Sequence, residues 1–179
     1  YGELSALYAA GWIDRKTFFD LSLARGRHMA AAGEASGDPG TMLAVVAPLE
    51  ALEALVKDLP LDDDNGVVLA NRNSPTQGVL SGSRAAIAAA ESACQKAGFR
   101  TIQLPVAAAF HSPLVAAAQA PFAEAVADAD LRPTDTPVFA NTTAKAYPSD
   151  TAAARRLLAE QLTSPVAFVN LIEGMYSQG

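Results

Sequence analysis

Apolar positions recur with a helical period near both ends of the chain, whereas the middle consists of short apolar runs separated by turn residues. The helical pattern predicts helices at 1–10, 14–32, 112–128, 149–162 and 164–176. The short runs predict strands at 42–47, 67–71, 77–81, 99–106 and 137–141. Between these strands we expect helices at 48–57 and 83–97, and a turn at 62–66. Asp14, Ser112 and the pair Ser149/Asp150 stand where N-caps are favoured.

The middle of the chain has its own order of elements. Over residues 42–106 the order is strand, helix, strand, strand, helix, strand, which is typical of a ferredoxin-like unit. We therefore expect an α/β protein in which 1–41 and 107–179 form a larger, helix-rich subdomain. The segment 42–106 is then a smaller ferredoxin-like subdomain inserted into it.

Composition narrows the class of protein. Half of the 179 residues are hydrophobic and 18% are charged, so the chain can bury a core of one domain with a small insert. The net charge of −6 argues against a nucleic-acid partner, and no apolar run reaches the length of a membrane span. One cysteine and two histidines leave little for a metal site, so we expect no metal. The expectation is a cytoplasmic α/β protein.

One arginine stands out on a helical wheel of residues 14–32. Arg25 falls in the apolar stripe formed by Phe18, Leu21 and Met29, whereas Arg27 falls on the opposite, polar face. A guanidinium removed from water needs an anion. Arg25 is therefore a structural salt-bridge or snorkelling residue, or a bidentate clamp for a ligand carboxylate.

A second candidate is His111, which directly precedes a predicted helix. A helix N-terminus disfavours imidazolium and would keep His111 neutral, as a general base requires; the alternative is an ordinary half-buried histidine. A base needs a nucleophile, and no serine in the chain lies in Gly-x-Ser-x-Gly. Both ends of the sequence fall inside helical patterns, so we expect an excerpt of a longer chain. A serine directly before Tyr1, preceded by Gly-His, would complete such an elbow with Gly2.

Several motifs follow one another in a recognisable order. They are YGELSALYAAGWID, LARGRHM, NRNSPTQGVLSG, AAFHSP, FANTTA and QLTSPVAFV. Together they resemble the malonyl-CoA:acyl-carrier-protein transacylases and the acyltransferase domains of polyketide synthases. The likeness is greatest to the iterative enediyne and polyunsaturated-fatty-acid types. The resemblance implies an α/β-hydrolase-like acyltransferase core with an inserted ferredoxin-like subdomain.

The resemblance also implies the catalytic groups. The nucleophilic serine would be the residue before Tyr1, and the backbone N–H of Tyr1 would donate to the oxyanion. His111 matches the catalytic histidine of the family. Gln161 matches the residue whose backbone carbonyl orients that histidine.

Three further residues would form the substrate site by the same resemblance. Arg25 matches the arginine that binds the free carboxylate of the malonyl group. Phe110 is bulky where the methylmalonyl-selective type carries serine, which favours malonyl. Asn141 matches an asparagine near the pocket.

The implied reaction moves a malonyl unit from coenzyme A to the phosphopantetheine thiol of an acyl carrier protein, in polyketide or fatty-acid biosynthesis. It needs no permanently bound cofactor. The implied partners are malonyl-CoA, the carrier protein and neighbouring domains of a larger synthase. Two alternatives stay open: a serine thioesterase or esterase on the same elbow, and a non-catalytic docking or structural segment.

Overall fold

The computed structural model describes residues 2–35, 37–59 and 66–177. Within these residues the chain forms helices around one four-stranded sheet, with the following bounds. They are α1 (Gly2–Ala9), α2 (Arg15–Ala35), β1 (Thr41–Val46), α3 (Leu49–Lys57), β2 (Val68–Ser74), β3 (Gln77–Gly82), α4 (Arg84–Lys96), β4 (Arg100–Leu104), a 3₁₀ helix (Pro113–Ala118), α5 (Gln119–Ala127), α6 (Thr151–Glu160) and α7 (Phe168–Tyr176).

Side-chain caps start several of these helices, because the first backbone N–H groups of a helix have no partner within it. Asp14 Oδ1 accepts from Thr17 N–H at 2.7 Å at the start of α2. Asp150 does the same for α6. Ser112 caps the 3₁₀ helix through Leu114 N–H. The caps predicted at Asp14, Ser112 and Asp150 are thus confirmed.

The sheet has the strand order β2-β3-β1-β4, and all neighbouring strands are antiparallel. Its element order is the strand-helix-strand-strand-helix-strand order predicted over 42–106. On one face, Leu43, Leu80 and Ile87 are wholly buried in a core shared with α3 and α4. Each such side chain contributes about 1.5–3 kcal/mol by leaving water. On the other face, Met42 packs with Phe110 of the helix-rich part.

A second core holds the helix-rich part together. Phe122 of α5, Leu7 of α1 and Leu158 of α6 are its largest wholly buried side chains. Trp12 joins this core and donates its indole N–H to the Thr136 carbonyl. The helices therefore share one apolar centre, separate from that of the sheet.

Backbone hydrogen bonds tie the two parts to each other. Val166 N–H donates to the Ala70 carbonyl at 2.7 Å, and Arg72 N–H donates to the Val166 carbonyl at 2.9 Å. The loop before α7 thus adds a one-residue parallel bridge to the edge of β2. The segment that carries Gln161 is fixed to the sheet by this bridge.

Gly40 brings the loop before the 3₁₀ helix against β1. Its φ is +71°, and a Cβ there would lie 2.5 Å from Ala109 Cβ and 2.6 Å from the Gly82 carbonyl oxygen. Only glycine fits both this backbone and this space. Ala109 N–H donates to the Pro39 carbonyl beside it.

Three predicted elements differ from the observed ones. The helix predicted at 112–128 is split into a 3₁₀ helix and α5, since Pro121 has no N–H for a continuous α-helical ladder. The helix predicted from 164 begins at Phe168, because the backbone of the preceding residues bonds elsewhere in the fold.

The strand predicted at 137–141 is reduced to a single bridge between Phe139 and Ala146, which are joined by a short turn. Apart from Gly66, the turn predicted at 62–66 lies outside the described residues. Among the described helices, none combines the length and apolar character that a bilayer crossing requires.

Candidate active site

His111 lies in the loop between β4 and the 3₁₀ helix, half-buried, with its ring held by two backbone carbonyls. Its Nδ1 atom is 3.1 Å from the Gln161 oxygen and 3.0 Å from the Ser164 oxygen. Carbonyl oxygens only accept hydrogen bonds, so Nδ1 must carry the ring proton. The Nε2 atom of neutral His111 is then left as an acceptor, which is the tautomer of a general base.

The backbone of this loop holds His111 in an uncommon conformation. Its φ is +58°, in the left-handed region that side-chain-bearing residues seldom adopt. Such a residue costs of order 1–3 kcal/mol and persists only when its surroundings fix it. The neighbouring Ser112 is fully buried and donates its hydroxyl to the Ala109 carbonyl at 2.7 Å, which closes the loop around His111.

The electrostatics of the site favour the neutral imidazole. Burial lowers the pKa of His111, and the positive charge of Arg25 lowers it further; the two carbonyl contacts oppose this shift. The 3₁₀ helix that follows begins at Pro113, two residues after His111, and the influence of its N-terminus on the ring stays a prediction. Neutral His111 therefore dominates at pH 7.

Arg25 is buried, with 8% of its surface exposed, whereas Arg27 two residues later is exposed. The helical wheel predicted this difference. Arg25 lines a cavity of about 440 Å³ together with His111 and Phe110. Three of the predicted site residues thus line the same cavity.

Both parts of the molecule contribute walls to this cavity. Its helix-rich side comes from α2 and the loop at 107–111. Its other side comes from Met42 of β1 and Asn71 of β2. Phe110 packs on both the helical core and the sheet. The cavity is an open cleft between the two parts, as a substrate site requires.

Asn141 lies elsewhere. It lines a different cavity of about 520 Å³, between α1, the segment 136–141 and α7. Its backbone N–H donates to Glu3 Oε1 at 2.6 Å, and its carbonyl accepts from Ala167 N–H at 3.0 Å. Asn141 is therefore not among the residues that line the cavity of Arg25 and His111. Tyr1, predicted to supply an oxyanion-hole N–H, lies outside the described residues.

Sequence reasoning missed one neighbour of the site and one buried acid at the start of α1. The Ser164 carbonyl is a second partner of His111 Nδ1, and no side-chain pattern reports a backbone acceptor. Glu3 is 3% exposed and accepts a hydrogen bond from the Tyr147 hydroxyl. Its position directly after Gly2, which would complete the serine elbow, was the available signal for Glu3. The described residues contain no cluster of three or more potential metal ligands.

Comparison with known proteins gives this arrangement a family. The model of the acyl transferase domain family matches residues 1–178. The chain therefore belongs to the acyl transferase domain family.

Named relatives agree with that assignment. A polyunsaturated fatty acid synthase polypeptide of Thraustochytrium sp. is 34% identical over 180 residues, covering 99% of this chain and 6% of that protein. The malonyl CoA-acyl carrier protein transacylase of Bacillus subtilis is 35% identical over 180 residues, covering 99% of this chain and 56% of that protein. The chain thus spans little more than half of the latter and a small part of the former.

A solved structure shows the same fold. The crystal structure of the acyltransferase domain of the iterative polyketide synthase in enediyne biosynthesis superposes with a TM-score of 0.83 at 31% identity. The match covers 96% of this chain and 43% of that one. The mixed α/β architecture described above is therefore an acyltransferase fold.

Proposed function

We propose that this chain carries the histidine and arginine of an acyltransferase site that moves a malonyl unit from coenzyme A to an acyl carrier protein. The observation that carries the proposal is the shared cavity of Arg25 and His111. A buried cation and a neutral base in one cleft suit a substrate with a carboxylate at one end and an acyl carbon at the other. The malonyl CoA-acyl carrier protein transacylase among the relatives supports the same reaction.

In the first half-reaction, His111 Nε2 accepts the proton of a serine hydroxyl that lies directly before Tyr1. The serine oxygen bonds to the thioester carbon, and the resulting oxyanion accepts the backbone N–H of Tyr1. Collapse breaks the carbon–sulfur bond, and protonated His111 returns the proton to the coenzyme A sulfur. The product is a malonyl-serine ester.

In the second half-reaction, the phosphopantetheine thiol of the carrier protein gives its proton to His111. Its sulfur attacks the ester carbon, and the serine oxygen leaves with the proton. The carbonyls of Gln161 and Ser164 hold the Nδ1 proton throughout, so that His111 offers the same nitrogen in both halves.

Arg25 binds the free malonyl carboxylate in this scheme, and Phe110 limits the space beside it. An acetyl group would leave the Arg25 charge without its substrate partner, which rejects a wrong substrate more strongly than shape does. The bulk of Phe110 favours malonyl over methylmalonyl. Asn141 lines a different cavity, so it is not placed among the substrate contacts of this scheme.

The two parts of the molecule are assigned to two subdomains. Residues 42–106 form an inserted ferredoxin-like subdomain, supported by the strand order β2-β3-β1-β4. Residues 1–41 and 107–179 belong to an α/β-hydrolase-like acyltransferase core. The polyunsaturated fatty acid synthase and enediyne polyketide synthase matches favour a place beside other domains of an iterative synthase.

The two alternatives are less well supported. Serine hydrolases with a catalytic triad orient histidine with an acid. Here two backbone carbonyls accept the hydrogen bond from Nδ1 of His111, in the place where such a triad has its acid. A docking or structural segment would have no use for a neutral histidine and a buried arginine in one cleft.

The test is self-acylation of the full-length protein, followed by mass spectrometry of peptides around Tyr1. We expect a malonyl adduct on the residue before Tyr1 after incubation with malonyl-CoA, and transfer to a carrier protein rather than release of free malonate. His111→Ala should abolish the adduct. An unmodified wild-type protein would contradict the proposal, and rapid release of malonate would favour a thioesterase.

Arg25→Ala, with Arg27→Ala as matched control on the same helix, tests the clamp. The change at Arg25 should reduce malonyl transfer far more than acetyl transfer, whereas Arg27→Ala should leave both unchanged. Equal loss of both acyl groups in Arg25→Ala would contradict the assignment of Arg25.

A further inference from the structure

Glu3 is a buried acid with two hydrogen-bond donors aimed at it. It lies in the first turn of α1, and 3% of its surface is exposed. One carboxylate oxygen, Oε1, accepts from Asn141 N–H at 2.6 Å. The other, Oε2, accepts from the Tyr147 hydroxyl. Because each oxygen has its own donor, the carboxylate is fixed in both position and orientation.

The two donors belong to one rigid turn. Asn141 and Tyr147 lie on either side of residues 142–146. The flanking segments are bonded to each other, since Ala140 N–H donates to the Lys145 carbonyl and Tyr147 N–H donates to the Val138 carbonyl. The Tyr147 ring also packs edge-on against Trp12 in the helical core. Glu3 thus anchors the start of α1 to a well-braced segment.

From that turn a short path of bonds leads to the histidine. The Asn141 carbonyl accepts from Ala167 N–H, and the adjacent Val166 is bonded to β2. Three residues before Ala167, the Ser164 carbonyl contacts His111 Nδ1. Hydrogen bonds therefore connect the start of α1 to His111 through two segments. Glu3 bonds to the turn at 141–147, and that turn bonds to the loop at 164–167, which contacts the His111 ring.

Stability alone does not account for an acid at this place. Burial of a carboxylate is unfavourable, and it raises the pKa of Glu3 even though Tyr147, Asn141 and the charge of Arg25 oppose the shift. A buried ionisable group of this kind is weak evidence for a stabilising role. Its geometric effect, the placing of α1, is the more direct consequence of the contacts.

We infer that Glu3 is a positioning residue, which fixes the start of α1 at Gly2 relative to His111. The inference rests on the proposed function for its catalytic meaning, because that function places the nucleophile directly before Tyr1. Glu3 itself touches neither substrate nor reacting atoms in this assignment.

The experiment compares Glu3→Ala, Glu3→Gln and Tyr147→Phe in the full-length protein, with the exposed Glu50→Gln of α3 as control. Glu3→Ala removes both bonds. It should lower kcat of malonyl transfer to a carrier protein by roughly tenfold to a hundredfold, since a small misplacement of reacting groups has effects of that size. The KM for malonyl-CoA should change less than kcat, because Arg25 itself is kept and loses only the charge of Glu3.

The conservative variants separate geometry from charge. Glu3→Gln can still accept from Asn141 N–H and donate to the Tyr147 oxygen, so it should restore most of the lost kcat. Tyr147→Phe removes one bond and should give an intermediate kcat, which keeps the inference testable if Glu3→Ala does not fold. Wild-type kcat in both Glu3→Ala and Tyr147→Phe would overturn the inference. So would a Glu3→Gln variant as impaired as Glu3→Ala.

A readout independent of acyl transfer distinguishes failure of this inference from failure of the proposed function. Amide hydrogen exchange in residues 2–9 should become faster in Glu3→Ala and stay near wild type in Glu3→Gln. If the wild type transfers no malonyl group, the proposed function is refuted. Faster exchange in Glu3→Ala would still support the anchoring role in that case. Unchanged exchange in Glu3→Ala would overturn the anchoring role itself.

Discussion

The Nδ1 atom of His111 lies 3.0 Å from the backbone oxygen of Ser164, two residues before Val166, which is bridged to β2. The Gln161 oxygen, at 3.1 Å, is the second acceptor. Two main-chain oxygens therefore set the tautomer, and no acidic side chain of residues 2–35, 37–59 or 66–177 is bonded to Nδ1. A substitution of Gln161 alters the side chain but not this acceptor, so its effect depends on whether the loop moves.

Titration of His111 should show the influence of Arg25. Because burial and the Arg25 charge lower the pKa of His111, its ring should protonate only below the usual value of 6.5. Arg25→Gln removes one cause, so the midpoint should move to higher pH. NMR titration of the ring protons measures this directly, and His28→Gln assigns the signals since the chain has two histidines.

The same shift has consequences for pH dependence. The acid limb of kcat/KM reports the base of the free enzyme, so it should lie below pH 6.5 in wild type and at higher pH in Arg25→Gln. Folded His111 binds a proton less readily than the unfolded chain, so its contribution to stability decreases as the pH falls below 6.5. An Arg25→Gln midpoint equal to that of wild type would contradict the electrostatic coupling.

Phe110→Ser should widen the cavity beside Arg25. The ratio of kcat/KM for methylmalonyl-CoA over malonyl-CoA should rise by about tenfold or more, in line with one added carbon in a tight pocket. Single-turnover acylation with both thioesters measures the ratio. Phe19→Ser, at an exposed position of α2, is the control and should leave the ratio unchanged. A constant ratio in Phe110→Ser would remove Phe110 from the specificity site.

Gly40→Ala should destabilise the protein, because the new Cβ would overlap Ala109 and the Gly82 carbonyl. Gly37 also has a φ of +71° but nothing within 4 Å of a Cβ, so Gly37→Ala has the backbone strain without the overlap. We expect Gly40→Ala to lower the free energy of unfolding by about 1–3 kcal/mol more than Gly37→Ala. Urea denaturation of both variants measures the difference, and equal values would contradict the close approach.

Ser112→Ala should impair the loop that holds His111. It removes the donor to the buried Ala109 carbonyl and the cap of Leu114 N–H, which lowers stability by about 1–3 kcal/mol. The rate of self-acylation should also fall, because the hydrogen bond that stabilises the left-handed backbone at His111 is lost. Ser177→Ala, an exposed serine at the end of α7, serves as the control. A fully active Ser112→Ala would show that His111 does not depend on this contact.

Local signals predicted much of this molecule. The caps at Asp14 and Asp150 and the inward face of α2 depend on residues close in sequence, so helical periodicity suffices for them. The inward position of Arg25 was found on that basis, whereas its carboxylate-binding role came from the family resemblance. The strand and helix order over 42–106 followed from short apolar runs and turn residues.

Contacts between distant segments were beyond such signals. The Glu3–Tyr147 bond joins residues 144 positions apart, and no period or spacing reports it. The backbone of Ser164–Ala167 was predicted as helix, but its groups bond to β2 and His111 instead, so tertiary contacts override local propensity there. The family resemblance gave the role of Gln161, which its side chain could not reveal.

The bridge between Val166 and β2 bears on how such domains can be recombined. Its bonds, to the Ala70 oxygen and from the Arg72 amide, use only main-chain atoms. A graft of residues 42–106 from a relative could therefore keep these bonds whatever its side chains, provided that it preserves the apolar contact of Met42 with Phe110. Such a graft would reshape one wall of the cleft while the histidine stayed in place, so hybrid enzymes with new substrate preference could be assembled from whole segments.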